Sequence, residues 1–245
     1  MRSIVDIRAN ENLDLHGCTG VLLNNSSGDG TPYVLTARHC RNGREDNTGE
    51  QLSWWKLYFG RMSPTCGANV TGRAPPCRIE NKCIWGAEVV ATGTNGEGPF
   101  SLSRDYMLIR LSTPIPDSFN VTYAGWSVED AVPESATAIG HPDGMPMTIA
   151  YDHDPIEHNN DCDRQGTMWR LFVDEGQLII GHSGSPVFDE NQRVRGNLLT
   201  GARCAGTSRS CASSLRYNWT FGTPGSRLID HLAGGDARIL SVPTR

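Results

Sequence analysis

The sequence predicts an all-β protein made of short antiparallel strands. Apolar runs of about four to seven residues recur along the chain, the length of ordinary strands, and stretches rich in Gly, Asn, Asp and Pro separate them. Helical periodicity is scarce, and no run approaches the ~18 apolar residues of a membrane-spanning helix. Many short strands at regular spacing are typical of a β-barrel or a β-sandwich. The predicted strands are Gly20–Leu23, Tyr33–Thr36, Trp54–Phe59, Glu88–Thr92, Tyr106–Leu111, Ala136–His141, Met147–Tyr151, Trp169–Val173, Pro186–Phe188 and Val194–Leu199.

The chain is large enough for one all-β domain or two small lobes. It has 245 residues, of which 38% are hydrophobic and six are Trp, which is enough apolar material for a core. The Pro-containing stretch Ser112–Ala124 divides the strands into two groups of similar size, which suggests two lobes joined there. A helix is expected over Ser226–Leu232, ended by Gly234 and Gly235.

Charge and cysteine content restrict the partners and the compartment. The net charge is −5 and no basic run is present, so a nucleic-acid partner is not expected. None of the eight Cys forms a CxxC pair, which disfavours a zinc ribbon or thioredoxin-like chemistry. An even number of Cys at irregular spacing is typical of disulfides. We therefore expect a secreted protein, extracellular or periplasmic, from which a signal segment was removed, and no membrane partner.

Three local sequences combine into one chemistry. His39 lies in VLTARHC, Asp105 opens the apolar strand RDYMLIRL, and Ser183 lies in GHSGSPVF. The first two have ordinary structural explanations alone, since a histidine beside a cysteine is more often structural and an acid at a strand start is often a cap. A serine between close glycines, followed by Ser-Pro and a strand, has few such explanations. Together they supply a serine nucleophile, a base to take its proton, and an acid to orient the base. The order His, Asp, Ser along the chain is one of the known arrangements.

These motifs resemble the chymotrypsin-like serine peptidase family, and most closely its bacterial lysyl endopeptidase branch. The segments CTGVLLNNSSGDGTPYVLTARHC, YAGWSVEDAVPESATAIGHP and GHSGSPVFDENQRVRGNLLTGARC are similar to segments of that branch and occur in the same order. GxSGSPVF is also shared with glutamyl endopeptidases. The resemblance implies two antiparallel six-stranded β-barrels and a C-terminal helix in a single domain, 1–245. The barrels are expected at about 8–112 and 125–225, and the helix at about 226–232.

The resemblance also implies roles for particular residues. His39 is the general base, Asp105 its orienting partner and Ser183 the nucleophile, while the backbone amides of Gly181 and Ser183 form the oxyanion hole. Cys18 and Cys40 are expected to form a disulfide beside His39. Cys204 and Cys211 could close a second loop, and three pairings stay open among the other four cysteines.

Specificity departs from the lysyl branch. No Asp or Glu lies between Cys204 and Asp230, and the position that holds an acid in trypsin-like relatives is Gln177. Glutamyl endopeptidases carry a histidine where this chain has Thr200. Lysine specificity is therefore not expected, although Asp174 and Glu175 could supply a charge, and Arg203 and Arg209 could read an acidic side chain. A small or apolar pocket is equally compatible, lined by Thr200, Gly201, Ala202 and Ser213.

The substrate is expected to be a polypeptide, because the segment Thr200–Ala202 would pair with it as an added strand. His182 replaces the aspartate that captures a new N-terminus in the main family, so removal of a pro-segment is the better activation hypothesis. A pro-segment and a protein inhibitor are the other expected partners. The acidic stretch Asp152–Asp163 could bind zinc or calcium, but a solvated loop is favoured, and we expect no metal and no cofactor.

Two alternatives to a general endopeptidase stay open. One is a catalytically silent module that binds a partner through the same cleft, and the other is a peptidase dedicated to one protein substrate.

Overall fold

The structure, a computed structural model, consists of two curled antiparallel sheets with few and short helices. It describes residues 1–9, 17–41, 49–65, 74–93, 104–158, 168–199 and 209–245. The strands are β1 Ile4–Arg8, β2 Cys18–Leu23, β3 Tyr33–Thr36, β4 Lys56–Phe59, β5 Cys83–Trp85, β6 Ala87–Thr92, β7 Met107–Leu111, β8 Trp126–Ser127, β9 Ala136–Gly140, β10 Thr148–Asp152, β11 Glu157–His158, β12 Met168–Phe172, β13 Pro186–Phe188, β14 Val194–Leu198, β15 Arg209–Ser214 and β16 Ser241–Val242. The α-helices are α1 Leu215–Asn218 and α2 Leu228–Leu232, and the 3₁₀ helices are Arg38–Arg41, Ile79–Asn81, Asp117–Phe119 and Pro142–Gly144.

The predicted all-β fold class is confirmed. The first sheet has the strand order β5-β4-β1-β2-β3-β7-β6, and the second has the order β10-β9-β13-β14-β15-β12-β11, with β8 joining β14 to β16. The strand pairs are antiparallel except β8 with β14. The described residues give seven and nine strands instead of six each. The additional strands, each only two or three residues long, are β5, β8, β11 and β16.

Every predicted strand is present, with ends that differ by no more than two residues. The two longer strands that the sequence did not predict are β1 and β15. β1 reads IVDIR. Its two charged residues interrupt the apolar pattern in the sequence, although the strand is buried along its whole length. β15 reads RSCASS, with small polar residues of weak strand preference. Pairing with β12 and β14 on its two sides holds it in the sheet.

The core has separate parts inside and between the sheets. β2 is buried on both faces: Leu22 packs inside the first sheet, while Val21 and Leu23 join a cluster between the sheets. In this second cluster the rings of Trp126 and Trp219 lie 4.8 Å apart. The apolar face of α2, formed by Leu228, Ile229 and Leu232, packs into the same cluster. The C-terminal helix therefore helps to join the two sheets. In the described part of the chain, no helix is long and apolar enough to cross a membrane.

A buried ion-pair network ties β1 to the segment before β10. Asp6 is fully buried, and its carboxylate pairs with Arg8 at 3.0 Å and with Arg61. Arg8, which is 2% exposed, also donates to the carbonyl oxygen of Gly144 at 2.9 Å. The two charged residues that mask β1 in the sequence are thus partners in the folded protein.

We expect Asp6→Leu to lower the free energy of unfolding by about 3–5 kcal/mol, because it leaves the buried Arg8 guanidinium without its carboxylate. For a chain of this size that corresponds to a fall in Tm of roughly 6–20 °C. The control is Asp236→Ala, which removes a pair with the highly exposed Arg238 and should leave Tm nearly unchanged. Thermal unfolding followed by circular dichroism measures both. Equal Tm values for the two variants would contradict the prediction.

Candidate active site

His39 is held at the end of β3 by a short tethered helix. β3 ends at Thr36, and the chain turns into the 3₁₀ helix Arg38–Arg41 that carries His39. The expected disulfide between Cys18 and Cys40 is present and fixes this helix to β2. A second disulfide joins Cys77 to Cys83, and Cys211 is also disulfide-bonded, whereas Cys204 lies outside the described residues. The His39 side chain is 31% exposed, so one edge of the ring stays accessible to a substrate.

Asp105 orients the His39 ring. Its side chain is 3% exposed, and one carboxylate oxygen lies 2.7 Å from His39 Nδ1 while the other accepts the backbone N–H of His39 at 2.9 Å. A carboxylate only accepts, so Nδ1 carries the proton and the opposite nitrogen, Nε2, is an acceptor. That nitrogen lies 2.8 Å from Ser183 Oγ. The Ser183 hydroxyl therefore donates to His39.

The surroundings of His39 raise the pKa of its imidazole. Burial lowers the pKa of the imidazole, while the charge of Asp105 and its hydrogen bond raise it. The contributions from Asp105 prevail, and the pKa is raised above 6.5.

Ser183 lies in a turn pressed against the first sheet. Its carbonyl oxygen accepts the backbone N–H of Thr19 at 2.8 Å. The next residue, Gly184, has φ +82°, and a Cβ there would lie 2.3 Å from both the Thr19 carbonyl oxygen and Thr36 Oγ1. Only glycine fits this position, both for its backbone and for the space available. The Gly after the serine in the motif thus permits the two sheets to meet at Ser183.

The peptide groups around Ser183 are held by hydrogen bonds to their carbonyl oxygens. The Ile180 carbonyl oxygen accepts from Asp143 N at 2.7 Å, and the His182 carbonyl oxygen accepts from Ser185 N at 2.9 Å. In a planar trans peptide the N–H points away from the C=O. The amides of Gly181 and Ser183 are therefore turned to the side opposite these two fixed carbonyls. Backbone amides that are aimed at a common point stabilise a developing negative charge.

Further side chains that the sequence did not single out support this arrangement. Thr19 Oγ1 donates to the Gly181 carbonyl oxygen at 3.0 Å and accepts from His141 N at 2.9 Å. Asn197 Nδ2, in β14, donates to the backbone carbonyl oxygen of Asp105 at 2.9 Å. Arg104, in a left-handed conformation with φ +63°, donates to the Tyr217 carbonyl oxygen at 3.0 Å. Each of these bonds joins a residue in the first half of the chain to a residue in the second half.

The family model for the C-terminal domain of lysyl endopeptidase matches residues 2–217. The chain belongs to the lysyl endopeptidase family. It is a serine endopeptidase of chymotrypsin-like fold. The fold is similar to that of human heparin binding protein, at 15% identity and a TM-score of 0.57 with 88% of each chain covered. It is also similar to the scabies mite inactivated protease paralogue S-D1, at 13% identity and a TM-score of 0.59 with 88% of each chain covered. At such identities these two structures show the fold alone.

The residues predicted to bind substrate in this member of the lysyl endopeptidase family are only partly described. Thr200, Gly201 and Ala202 lie outside the described residues, as does Arg203, and the side chain of Arg209 is not described either. Gln177 is exposed on the segment that leads to Ser183. Ser213 is 1% exposed, and its hydroxyl accepts from Asn218 Nδ2 at 3.0 Å.

The two acids that precede Ser183 in the sequence are engaged with the end of β10. Asp174 accepts the backbone N–H of His153 at 2.8 Å, and Glu175 lies 3.0 Å from His153 Nε2. Both are solvent-exposed. Their described hydrogen bonds therefore point to a structural role at the β10 end.

The side chains of His182, which precedes Ser183 in the sequence, and of the buried Asp152 bond to other groups. His182 Nε2 lies 3.0 Å from Thr148 Oγ1, and Asp152 accepts backbone N–H groups from Phe172 at 2.7 Å and Asp154 at 3.1 Å. The imidazole within hydrogen-bond distance of Ser183 Oγ is that of His39.

An acidic group also forms near the end of β10. Asp152, Asp154 and Asp174 bring carboxylate oxygens within 4.8 Å of one another. Two of the three are exposed, and the buried Asp152 carboxylate already accepts two backbone N–H groups. Within the described residues these contacts explain the cluster without a ligand.

Proposed function

We propose that this serine endopeptidase cleaves polypeptides through His39, Asp105 and Ser183 and an acyl-enzyme intermediate. The proposal rests on one continuous set of contacts, with His39 Nδ1 at 2.7 Å from Asp105 and His39 Nε2 at 2.8 Å from Ser183 Oγ. A serine hydroxyl is a weak nucleophile until an adjacent base takes its proton. The orientation of Nδ1 by Asp105 leaves Nε2 free of a proton for this purpose.

The proposed reaction follows from these positions. Ser183 Oγ attacks the scissile carbonyl carbon while its proton passes to His39 Nε2, and the carbonyl oxygen becomes an oxyanion facing the amides of Gly181 and Ser183. The C–N bond then breaks as Nε2 returns the proton to the leaving amine. This leaves an ester on Ser183. Water then attacks the ester while His39 Nε2 takes its proton, and Nε2 returns this proton to Ser183 Oγ as the C–O bond breaks. Asp105 stabilises the imidazolium at each stage.

We propose further that the P1 residue is not lysine. A lysine ammonium in a closed pocket needs a carboxylate partner, because an unpaired buried charge is costly. Asp174 and Glu175 are engaged with His153, and Gln177 carries no charge. A small or apolar pocket near Ser213 and Thr200–Ala202 agrees better with these residues, and an extended substrate would pair with Thr200–Ala202 as an added strand.

The chain is proposed to act outside the cytoplasm, after removal of a pro-segment, and a protein inhibitor is a further proposed partner. The Cys18–Cys40 and Cys77–Cys83 disulfides support an oxidising compartment.

The function is tested by digesting a complex peptide pool and mapping the new termini by mass spectrometry. We expect cuts throughout the pool that disappear when the protein is first treated with a fluorophosphonate. The phosphonyl group should be found on Ser183. The residue on the amino side of the cuts gives the P1 preference, and a strong lysine preference would refute the pocket proposal.

The same experiment separates the alternatives. Phosphonylation of Ser183 without cuts in the pool would favour a peptidase dedicated to one substrate. Absence of both labelling and cuts would favour a binding module and refute the proposed function.

A further inference from the structure

The large apolar side chains of the segment that carries the proposed oxyanion amides point to solvent. Ile179 and Ile180 are 47% and 58% exposed, so these large apolar side chains do not anchor it in the core. Gly181, with φ +99°, has no side chain to contribute. The shape of residues 179–183 therefore depends on hydrogen bonds to the backbone of Ile180 and Gly181 and on the buried side chain of His182.

The His182 side chain occupies that inner side. The residue is fully buried, and its Nδ1 lies 3.1 Å from both the backbone N and the backbone O of Ile179. Its Nε2 lies 3.0 Å from Thr148 Oγ1, at the start of β10. Either neutral tautomer makes one bond to Ile179 and one to Thr148, since the threonine hydroxyl both donates and accepts. Burial lowers the pKa of His182, and nearby His141 lowers it further.

The neighbouring strand leaves room for this ring. A Cβ on Gly140, the last residue of β9, would lie 2.8 Å from the Cδ2 atom of His182. The imidazole therefore lies directly on the backbone of β9 while it bonds to β10. In this way one side chain connects Ile179, before the oxyanion amides, to the adjoining β9–β10 hairpin, and its own backbone is the next link to Ser183.

We propose that His182 is a positioning residue for the oxyanion hole, holding residues 179–183 against the β9–β10 hairpin through Thr148 so that the amides of Gly181 and Ser183 face the substrate carbonyl. This proposal rests on the proposed function, since it assigns His182 to the same site. The expected signature is specific. The oxyanion forms after the substrate binds, so loosening this segment lowers kcat and leaves KM nearly unchanged.

The decisive variants are Thr148→Val and Thr148→Ser. Thr148 is a solvent-exposed residue at the start of β10, so valine removes the hydroxyl with little effect on folding, and serine retains it. We expect Thr148→Val to lower kcat by about 10-fold, less than the ~10²–10³-fold loss on deleting an oxyanion donor, because the amides remain but are less well placed. Thr148→Ser should stay within ~2-fold of the wild type, since its hydroxyl can still bond to His182.

Two further readouts separate positioning from general destabilisation. The Ki of a peptide aldehyde, made from the best-cleaved sequence of the pool, should rise in Thr148→Val by the same factor as kcat falls, because the aldehyde forms a hemiacetal whose oxygen occupies the hole. The apparent pKa of the acidic limb of kcat/KM, set by His39, should not move. His182→Leu should show a larger fall in kcat than Thr148→Val, with Tm recorded alongside.

The outcomes are distinct. Equal kcat values in Thr148→Val and Thr148→Ser would overturn the role of His182 even if His182→Leu fails to fold. A parallel rise in KM would also overturn it, because that indicates a loss of substrate binding. A wild-type protein that neither reacts with the fluorophosphonate nor acylates with p-nitrophenyl acetate would instead refute the proposed function, and this inference with it.

Discussion

Ser183→Ala and His39→Ala are each expected to lower kcat by about 10⁶-fold, and the double variant is expected to be no slower than either. The reason is that Ser183 Oγ and His39 Nε2, 2.8 Å apart, act as one unit. A nucleophile without its base gains nothing from its position, and a base without a nucleophile has no proton to take. The measurement is kcat on the best-cleaved peptide, with protein concentration established by absorbance because these variants cannot be titrated through Ser183.

Ser185→Ala is the matched control. This serine is also buried, lies two residues further along the chain, and in the described part of the structure its hydroxyl has no hydrogen-bond partner. It should retain kcat within a few-fold. Appreciable activity in His39→Ala would show that another group serves as base.

Asp105→Asn is expected to lower kcat by about 10⁴-fold. The asparagine amide can donate to His39 Nδ1, which stabilises the tautomer whose Nε2 carries the proton and cannot accept from Ser183. The variant should also change the pH profile. Neutral His39 is the active form, so activity falls as the pH drops through its pKa, and in the wild type this pKa is raised by Asp105. Without the carboxylate only the lowering effect of burial remains, and the acidic limb of kcat/KM should move to lower pH.

Asp152→Asn provides the control for this second prediction. Asp152 is as deeply buried as Asp105 and accepts two backbone N–H groups, but its described bonds are to Phe172 and Asp154. Its replacement should leave both kcat and the pH profile unchanged. An unshifted acidic limb in Asp105→Asn, with kcat reduced, would mean that the limb reports a group other than His39.

Much of the fold was predictable because most strands are short apolar runs that can be recognised from the local sequence. β2 and β3 are largely apolar because both their faces are covered, and β7 is so except at the exposed Arg110. All three were predicted within two residues. β1 was not, because Asp6 and Arg8 resemble surface charges until the fold pairs them with Arg61 and Gly144. A pairing between residues more than fifty positions apart leaves no local pattern.

The candidate site divides in the same way. His39, Asp105 and Ser183 stand in recognisable local sequences, so their proximity could be predicted from the resemblance. Thr19 and Asn197 could not, because each acts through a backbone carbonyl on the other half of the chain. A backbone carbonyl has no residue-specific signature. The hydroxyl of Ser213, predicted to line the pocket, is bonded to Asn218, a contact that its sequence position does not reveal.

The junction between the sheets at Thr19 and Gly184 determines when, during folding, the proposed reacting groups can come together. His39 and Asp105 belong to the first half of the chain and Ser183 to the second, and the Thr19–Ser183 bond forms only when the halves dock. A chain in which a single sheet has folded holds no complete set of proposed reacting groups. A chain that is only half folded is therefore expected to be inactive. The proposed cleavage of peptides therefore requires that both sheets are folded and docked.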